Sequence, residues 1–365
     1  MSQGRSRIPL ILDVDTGIDD SLALLYACAS LEIELVAVTC TAGNVGARQV
    51  AENTRAVLEL AGREDVEVAL GRETPLVRPL VTTPETHGPK GIGWAELPGP
   101  GMSLSPRHSA DLMVAEARRR PGDVLLVTTA PLTNLAVAVL REPALPSLLR
   151  AWVLMGGSYR SAGNTAPTTE WNVAVDPDAA KVAITAFGAP EVIADREARG
   201  LPGRPIALGL DVTERAKMLP EHIARLAAAA GDDPATAEAR VRSAGAPAPA
   251  NPVVRYLADA LRFYMEFHSR FDGFYGAFVH DPFALAAAID RSLVTTEAVP
   301  VDVELGGMLT TGETVTDWRR TWQRPPNVDV AVAGDAAAFL DRFVERVGAL
   351  AASRTPAGPP ADVAS

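Results

Sequence analysis

The 365-residue chain is 47% apolar with a formal net charge of -11, enough to bury the core of one large α/β domain or two ordinary ones and the wrong sign for a nucleic-acid footprint. Its two cysteines, Cys28 and Cys40, cannot make a disulfide framework and fit a reducing, cytoplasmic setting. No apolar run reaches the roughly 18 residues that span a bilayer, and the opening IPLILDVD, interrupted by Asp13 and Asp15, reads as a first strand and not a signal peptide.

Taken in order, the candidate strands are IPLILDVD, ELVAVTCTAG, VEVALG, DVLLVTTA, AWVLMGG, PIALGLDV, PVDVEL and VDVAVAG. Several are almost continuously apolar, as strands covered on both faces are. Between them SLALLYACASL, ARQVAENTRAVLELAG, ADLMVAEARRR and DAAKVAITAFG carry helical periodicity. This alternation predicts an α/β fold, a single doubly wound, mostly parallel sheet with helices on both faces. One domain over 1–353 accounts for it. Thr82 to Pro106 and Gly231 to Pro252 read as mobile insertions, the first a lid candidate, and Arg354 to Ser365 as a disordered tail.

The sharpest signal is LDVDTGIDDSLALLYA, residues 12 to 27. Asp13 and Asp15 stand two apart at a strand end, which places them on one face. Gly17 permits a tight turn, and Asp19 and Asp20 open the next helix, where the dipole tolerates negative charge. Four carboxylates in eight residues repel one another unless a cation or protons intervene. Such oxygen ligands suit Ca²⁺ or Mg²⁺ rather than Zn²⁺. An EF-hand fails, because Gly17 falls at position 5 from Asp13 and Leu24 stands where the bidentate Glu belongs. A haloacid dehalogenase-like phosphatase competes, with Asp13 as nucleophile in DVDT, but the chain's few lysines (Lys90, Lys181, Lys217) lack a convincing strand-end context.

Further segments follow in a fixed order: AVTCTAGNV (37 to 45), TTAPLTNLA (128 to 136), LMGGSYRSAGNTAPTTEWNVAVDPDAA (154 to 180), DVTERAKML (211 to 219), VHDPFALA (279 to 286) and VELGGMLTTGETVTDW (303 to 318). With the acidic motif they resemble the inosine-uridine preferring nucleoside hydrolase family over nearly the whole chain. The resemblance implies the nucleoside hydrolase fold and Ca²⁺-dependent cleavage of ribonucleosides to ribose and base, in purine or pyrimidine salvage. It implies a metal held by Asp15, Asp20, Asp281 and the Thr129 carbonyl, which also holds the attacking water, with Asp15 taking that water's proton. Asp19 and Asn44 match residues that bind the 2′- and 3′-hydroxyls. Asn164, Glu170 and Asn172 match those that grip the 5′- and other hydroxyls, and Met155 lines the sugar pocket. His280 matches a histidine that activates the leaving base, and His87 sits in a loop that closes over it. Relatives are commonly dimers or tetramers, so a homodimer or homotetramer is implied, with a small-molecule nucleoside as partner and neither nucleic acid nor membrane. A relative that binds a ribosyl ligand without turnover is the non-enzymatic alternative.

Each residue also has a plain structural use. Asp281, before Pro282, suits a helix N-cap, as does Asp176 before Pro177. Asn44 and Asn164 follow glycines, as turn residues do. Glu170 and Asn172 alternate about Trp171 as on a solvated strand, and Met155 suits a core. Phe271, Phe274, Tyr275 and Phe278 suit either a base or core packing, and His268 follows the helical run VVRYLADALRFYMEF. The stretch 196–204 reads as an insertion. Only co-occurrence with the acidic cluster favours the functional uses.

Overall fold

The computed structural model describes residues 7–354; the tail expected beyond Arg354 lies outside them. The chain starts with β1 (Ile8–Val14), α1 (Ile18–Ala29), β2 (Ile33–Cys40), α2 (Ala47–Leu60) and β3 (Glu67–Leu70). After α3 (Pro84–His87) come α4 (Ser109–Arg119), β4 (Leu125–Thr128), α5 (Thr133–Arg141), α6 (Leu145–Leu148) and β5 (Ala151–Met155). The middle holds α7 (Trp171–Val175), α8 (Pro177–Phe187), α9 (Pro190–Ala198), β6 (Ile206–Leu208), α10 (Leu210–Thr213) and β7 (Lys217–Met218). Helices α11 (Pro220–Ala229), α12 (Pro234–Arg242) and α13 (Pro252–Phe271) precede β8 (Ala277–Phe278) and α14 (His280–Ile289). The chain closes with β9 (Val294–Val299), β10 (Val301–Val303), β11 (Thr314–Thr316), β12 (Val328–Gly334) and α15 (Ala336–Ser353).

Eight strands form one sheet in the order β3-β2-β1-β4-β5-β6-β12-β9, parallel throughout except for β9, which runs antiparallel to β12. Both faces are covered, as the continuous apolar strands require. Leu10, Leu12 and Val14 of β1 enter one core with α1, α13, α14 and α15. Ile11 enters the other, with α4, α5 and α8. The order reverses beside β1: β2 and β3 lie on one flank, while β4 crosses to the other. A doubly wound sheet opens its ligand crevice at that switch point, beyond the carboxyl ends of the strands. Among the described residues no helix is long and apolar enough to cross a membrane.

Four expectations shift. PIALGLDV is strand only to Leu208; Gly209 then turns the chain into α10. PVDVEL contributes β10, but to a separate hairpin with β11. Pro300, which has no N–H to give a ladder, breaks it from β9. The edge is taken instead by VTTEAV, whose alternating exposure marks a half-solvated strand. The Ala-rich stretch 231–252 contains α12, capped by Asp233 through Thr236 N at 2.9 Å. The lid candidate is docked: Trp94 stacks edge-on against Phe263 at 5.0 Å, and its Nε1 donates to Glu266 Oε2 at 2.8 Å.

Candidate active site

A cavity of about 460 Å³ opens at the switch point. Its lining includes Asp19, Asn44, His87, Thr129, Met155, Asn164, Glu170, Asn172, His280 and Asp281, residues that the sequence scatters over more than two hundred positions. Asp15 and Asp20 are fully buried and lie among the groups beneath this floor.

The floor is acidic. Helix α1 starts straight after β1, so Asp19 and Asp20 enter its first turn, and α14 brings Asp281 into its own first turn. Carboxylate oxygens of Asp19, Asp20 and Asp281 lie within 4.8 Å of one another. Asp20 is heavily held: Oδ1 accepts from Thr129 Oγ1 at 2.8 Å, while Oδ2 accepts from Gly17 N at 2.9 Å and Asn44 Nδ2 at 3.3 Å. Asp15 Oδ2 accepts from Asn44 N at 2.8 Å, whereas its Oδ1 is buried with no partner. The Asp19 and Asp281 carboxyls are within hydrogen-bonding reach of each other, which requires a proton or a cation between them.

Electrostatics sharpen the point. Burial raises Asp20 to about 6 against the hydrogen bonds that hold it, while burial together with the repulsion of neighbouring carboxylates raises Asp19 to about 8 and pushes Asp15 and Asp281 well above the ordinary range. Among the described residues no Lys or Arg pairs with any of them. Uncompensated buried carboxylates are costly. A divalent ion fits this donor set on chemistry alone, since every ligand is a hard oxygen.

Asp281 is not the N-cap that its Pro suggests, since α14 begins at His280. Its carboxyl faces Asp19. Asp13 and Asp15 do not share a site either, because β1 ends at Val14 and the two-residue period ends with it. Asp13 Oδ1 accepts instead from Thr39 Oγ1 at 2.7 Å and Asn134 Nδ2 at 2.9 Å, and burial raises its carboxyl to about 7. With Oδ1 engaged by these two donors and the residue off the cavity lining, nothing supports Asp13 as the nucleophile that the phosphatase reading needs. Asn134 went unassigned in the sequence; its only signal was its place in TTAPLTNLA, one turn from the strand-end threonines.

The sugar-type groups share a pattern: one end anchored, one end available. Asn172 Nδ2 donates to Thr129 O at 2.9 Å, which leaves its Oδ1. Asn164 Oδ1 accepts from Trp171 N at 2.9 Å, which leaves its amide N–H groups. Glu170 is the buried N-cap of α7, not a solvated strand residue. Its oxygens accept from Gly157 N at 2.9 Å, Asn172 N at 2.8 Å and Val173 N at 3.2 Å. Asp176 caps α8 through Ala179 N at 3.0 Å, the plain use its Pro suggests.

The opposite wall is aromatic and carries three histidines. Tyr264, Phe267, His268 and Phe271 come from α13, Phe278 from β8, His87 from α3 and His280 from α14. Phe274 and Tyr275 stay off the cavity; the Tyr275 hydroxyl donates to Val241 O at 2.7 Å. His87 Nδ1 accepts from Ile18 N at 3.1 Å, and His280 Nδ1 is 2.8 Å from Thr213 Oγ1. Burial lowers both imidazoles to about 3, so both are neutral near pH 7. Tyr264, which the sequence left in an amphipathic run, bridges His87 and His268 with ring centroids 5.3 and 4.6 Å away.

The chain matches the family model described as inosine-uridine preferring nucleoside hydrolase over residues 10–341. It is 35% identical over 341 residues to a pyrimidine-specific ribonucleoside hydrolase RihA of Enterobacter sp. (strain 638), covering 93% of this chain and 97% of the relative. It is 36% identical over 326 residues to an inosine-uridine preferring nucleoside hydrolase of Leishmania major, covering 89% and 91%. Among solved structures, a purine-preferring ribonucleoside hydrolase from Gardnerella vaginalis superposes with a TM-score of 0.81 at 29% identity, over 94% of this chain and 99% of that one.

Proposed function

The chain belongs to the inosine-uridine preferring nucleoside hydrolase family and is a ribonucleoside N-glycosidase; from that premise we propose that it releases ribose and free base with calcium on its buried carboxylates and Asp15 as general base. The observation that carries this reading is a set of buried carboxylates, free of basic partners, under a cavity walled by half-anchored amides.

Asp15, Asp20, Asp281 and the Thr129 carbonyl would hold the ion, and the convergence of Asp19 with Asp20 and Asp281 brings a further carboxylate to its edge. When bound, such an ion supplies Lewis acidity that makes water a competent nucleophile near neutral pH. Asp15 Oδ1, the oxygen that no protein donor occupies, accepts the water's proton. Asp19, with the free ends of Asn44, Asn164 and Asn172, orients the ribose hydroxyls. Glu170, fixed by three backbone N–H groups, sets a rigid negative field. Bond breaking leaves an oxocarbenium-like sugar, which negative and dipolar oxygens favour over the neutral substrate. His280, neutral and anchored on Thr213, meets the negative charge building on the base. A homodimer or homotetramer in the cytoplasm completes the proposal.

The test is ribose release from uridine, cytidine, inosine and adenosine, measured with a reducing-sugar assay before and after chelation. Chelation is expected to abolish release, and calcium to restore it better than magnesium. Asp15→Ala should lower kcat by about two to four orders of magnitude with an unchanged melting profile. Full activity after chelation, or in Asp15→Ala, contradicts the assignment.

A further inference from the structure

One carboxylate beside the cavity is heavily engaged yet has no part in the reaction as described. Asp211 stands in α10, the short helix that follows β6 through Gly209, and it is off the cavity lining. Its Oδ2 accepts from Tyr159 N at 2.9 Å, and its Oδ1 from Arg160 N at 2.6 Å and Ser161 N at 3.0 Å. No backbone carbonyl takes any of these three N–H groups, so Asp211 is their common acceptor. An ionised carboxylate suits that task, because charge-assisted bonds are the strong ones, and its two oxygens can serve three donors where an amide offers one oxygen.

The loop so gathered runs from the end of β5 to Asn164, which lines the cavity. Its root is held without Asp211: Gly157 N donates to Glu170 Oε2 at 2.9 Å, and Ser158 N to Thr314 Oγ1 at 3.0 Å. Beyond Ser161 there is little slack. Ser158 Oγ reaches the Ser161 and Ala162 carbonyls at 2.5 and 3.0 Å, and Gly163 N donates to Pro167 O at 3.1 Å. A Cβ on Gly163 would stand 2.2 Å from Ala166 O and from Thr169 N, so that turn is closely packed. Asn164 is three residues from Ser161, at most about 10 Å of extended chain, and a shift of the 159–161 backbone reaches it. Its side chain is held at one end only, where Oδ1 accepts from Trp171 N at 2.9 Å.

We propose that Asp211 is a positioning residue for the sugar half of the reaction: by gathering the N–H groups of 159–161 it sets the place of Asn164, and through Asn164 the grip on the 5′-hydroxyl. The proposal deepens the ribonucleoside hydrolase reading and rests on it, with Asn164 as the residue that meets that hydroxyl. Loss of the carboxylate frees the outer part of the loop and spares Glu170, so the effect falls on one hydroxyl and not on the whole site.

The test compares kcat/KM for uridine or inosine, whichever the wild type cleaves faster, with its 5′-deoxy analogue. The wild type should favour the 5′-hydroxyl form by about tenfold or more. Asp211→Asn, which loses the charge and one acceptor oxygen, should lower that ratio by about threefold to tenfold, with cleavage of the 5′-deoxy analogue held within about twofold. Asp211→Glu keeps the charge and should retain more of the ratio, and it carries the comparison if Asp211→Asn fails to fold. Asn164→Ala should lower the ratio at least as far as Asp211→Asn. The double variant should lose no more than Asn164→Ala alone, because a residue that acts through another adds nothing once the other is gone. A wild-type ratio near one overturns the proposal while leaving hydrolysis intact. An unchanged ratio in Asp211→Asn, an equal loss on both substrates, or losses that add in the double variant also overturn it. No ribose release from any nucleoside by the wild type overturns the parent reading instead, and this one with it.

Discussion

Two glycines beside the acidic floor show how little room a single residue has there. A Cβ on Gly43 would lie 2.0 Å from Asp15 Oδ2 and 2.9 Å from Pro131 Cδ. That oxygen is already fixed by the Asn44 N–H, so it cannot yield without moving the carboxylate. Gly46, three residues on, has nothing within 4 Å of the same added atom. Gly43→Ala is therefore expected to cost about 1–3 kcal/mol of stability and to depress kcat by displacing Asp15. Gly46→Ala should leave both unchanged. Melting curves and steady-state kinetics on the two variants check this, and equal behaviour would argue against a tightly packed Asp15.

Much of the floor is legible residue by residue, because Asp15, Asp19 and Asp20 are local in the chain and their mutual repulsion can be read from spacing alone. Asp281 and Thr129 are not, since only the topology brings α14 and the end of β4 to β1. Histidine chemistry is the least legible. His87, His268 and His280 look alike in a sequence, and their tautomers depend on Ile18, Asp272 and Thr213, which lie on other elements or a turn away. Asn134 is invisible for the same reason: its partners, Asp13, Cys40 and Arg72, come from β1, β2 and the loop after β3.

At the scale of elements, the stretch 196–204, read as an insertion, is a clamp. Arg196 at the end of α9 is 2% exposed and donates to four backbone carbonyls: Pro146, Leu149 at 2.8 Å, Arg150 at 2.9 Å and Pro202 at 2.8 Å. The first three lie where the chain leaves α6 for the amino end of β5 and Pro202 lies in the loop before β6, at the opposite end of the sheet from the cavity. Nothing in the string REARGLPGR announces this, because a buried arginine is recognisable only once its acceptors are known. Removing it strands several carbonyls and a cavity. Arg196→Met is expected to lower the unfolding free energy by about 3 kcal/mol with kcat within twofold of wild type, a small change by the order-of-magnitude scale of site mutations. Urea unfolding beside steady-state kinetics separates the two effects. β10 could leave the main sheet without consequence for the floor because β1, β4 and β5 carry the chemistry, and their continuous apolar runs made them readable from the start.

For the whole molecule, burying the acidic cluster couples stability to pH and to cation in a definite sense. In the unfolded chain these carboxylates ionise near 4; folded and metal-free, burial holds Asp20 at about 6, Asp13 at about 7 and Asp19 at about 8. Between those limits the native state binds more protons than the unfolded state, so metal-free stability falls as pH rises from about 4 to about 8. His87 and His280 act in the other direction. Held near 3 against about 6.5 when unfolded, they withdraw stability as pH falls below about 6.5. A divalent ion replaces the protons on the floor, so its stabilisation should grow through the carboxylate window as protons cease to compete. The calcium-induced rise in melting temperature of chelator-treated protein should accordingly be larger at about pH 8 than at about pH 5.5. A rise that is equal at both, or larger at the lower pH, would mean that the ion does not sit on the carboxylates of α1 and α14 but elsewhere on the molecule.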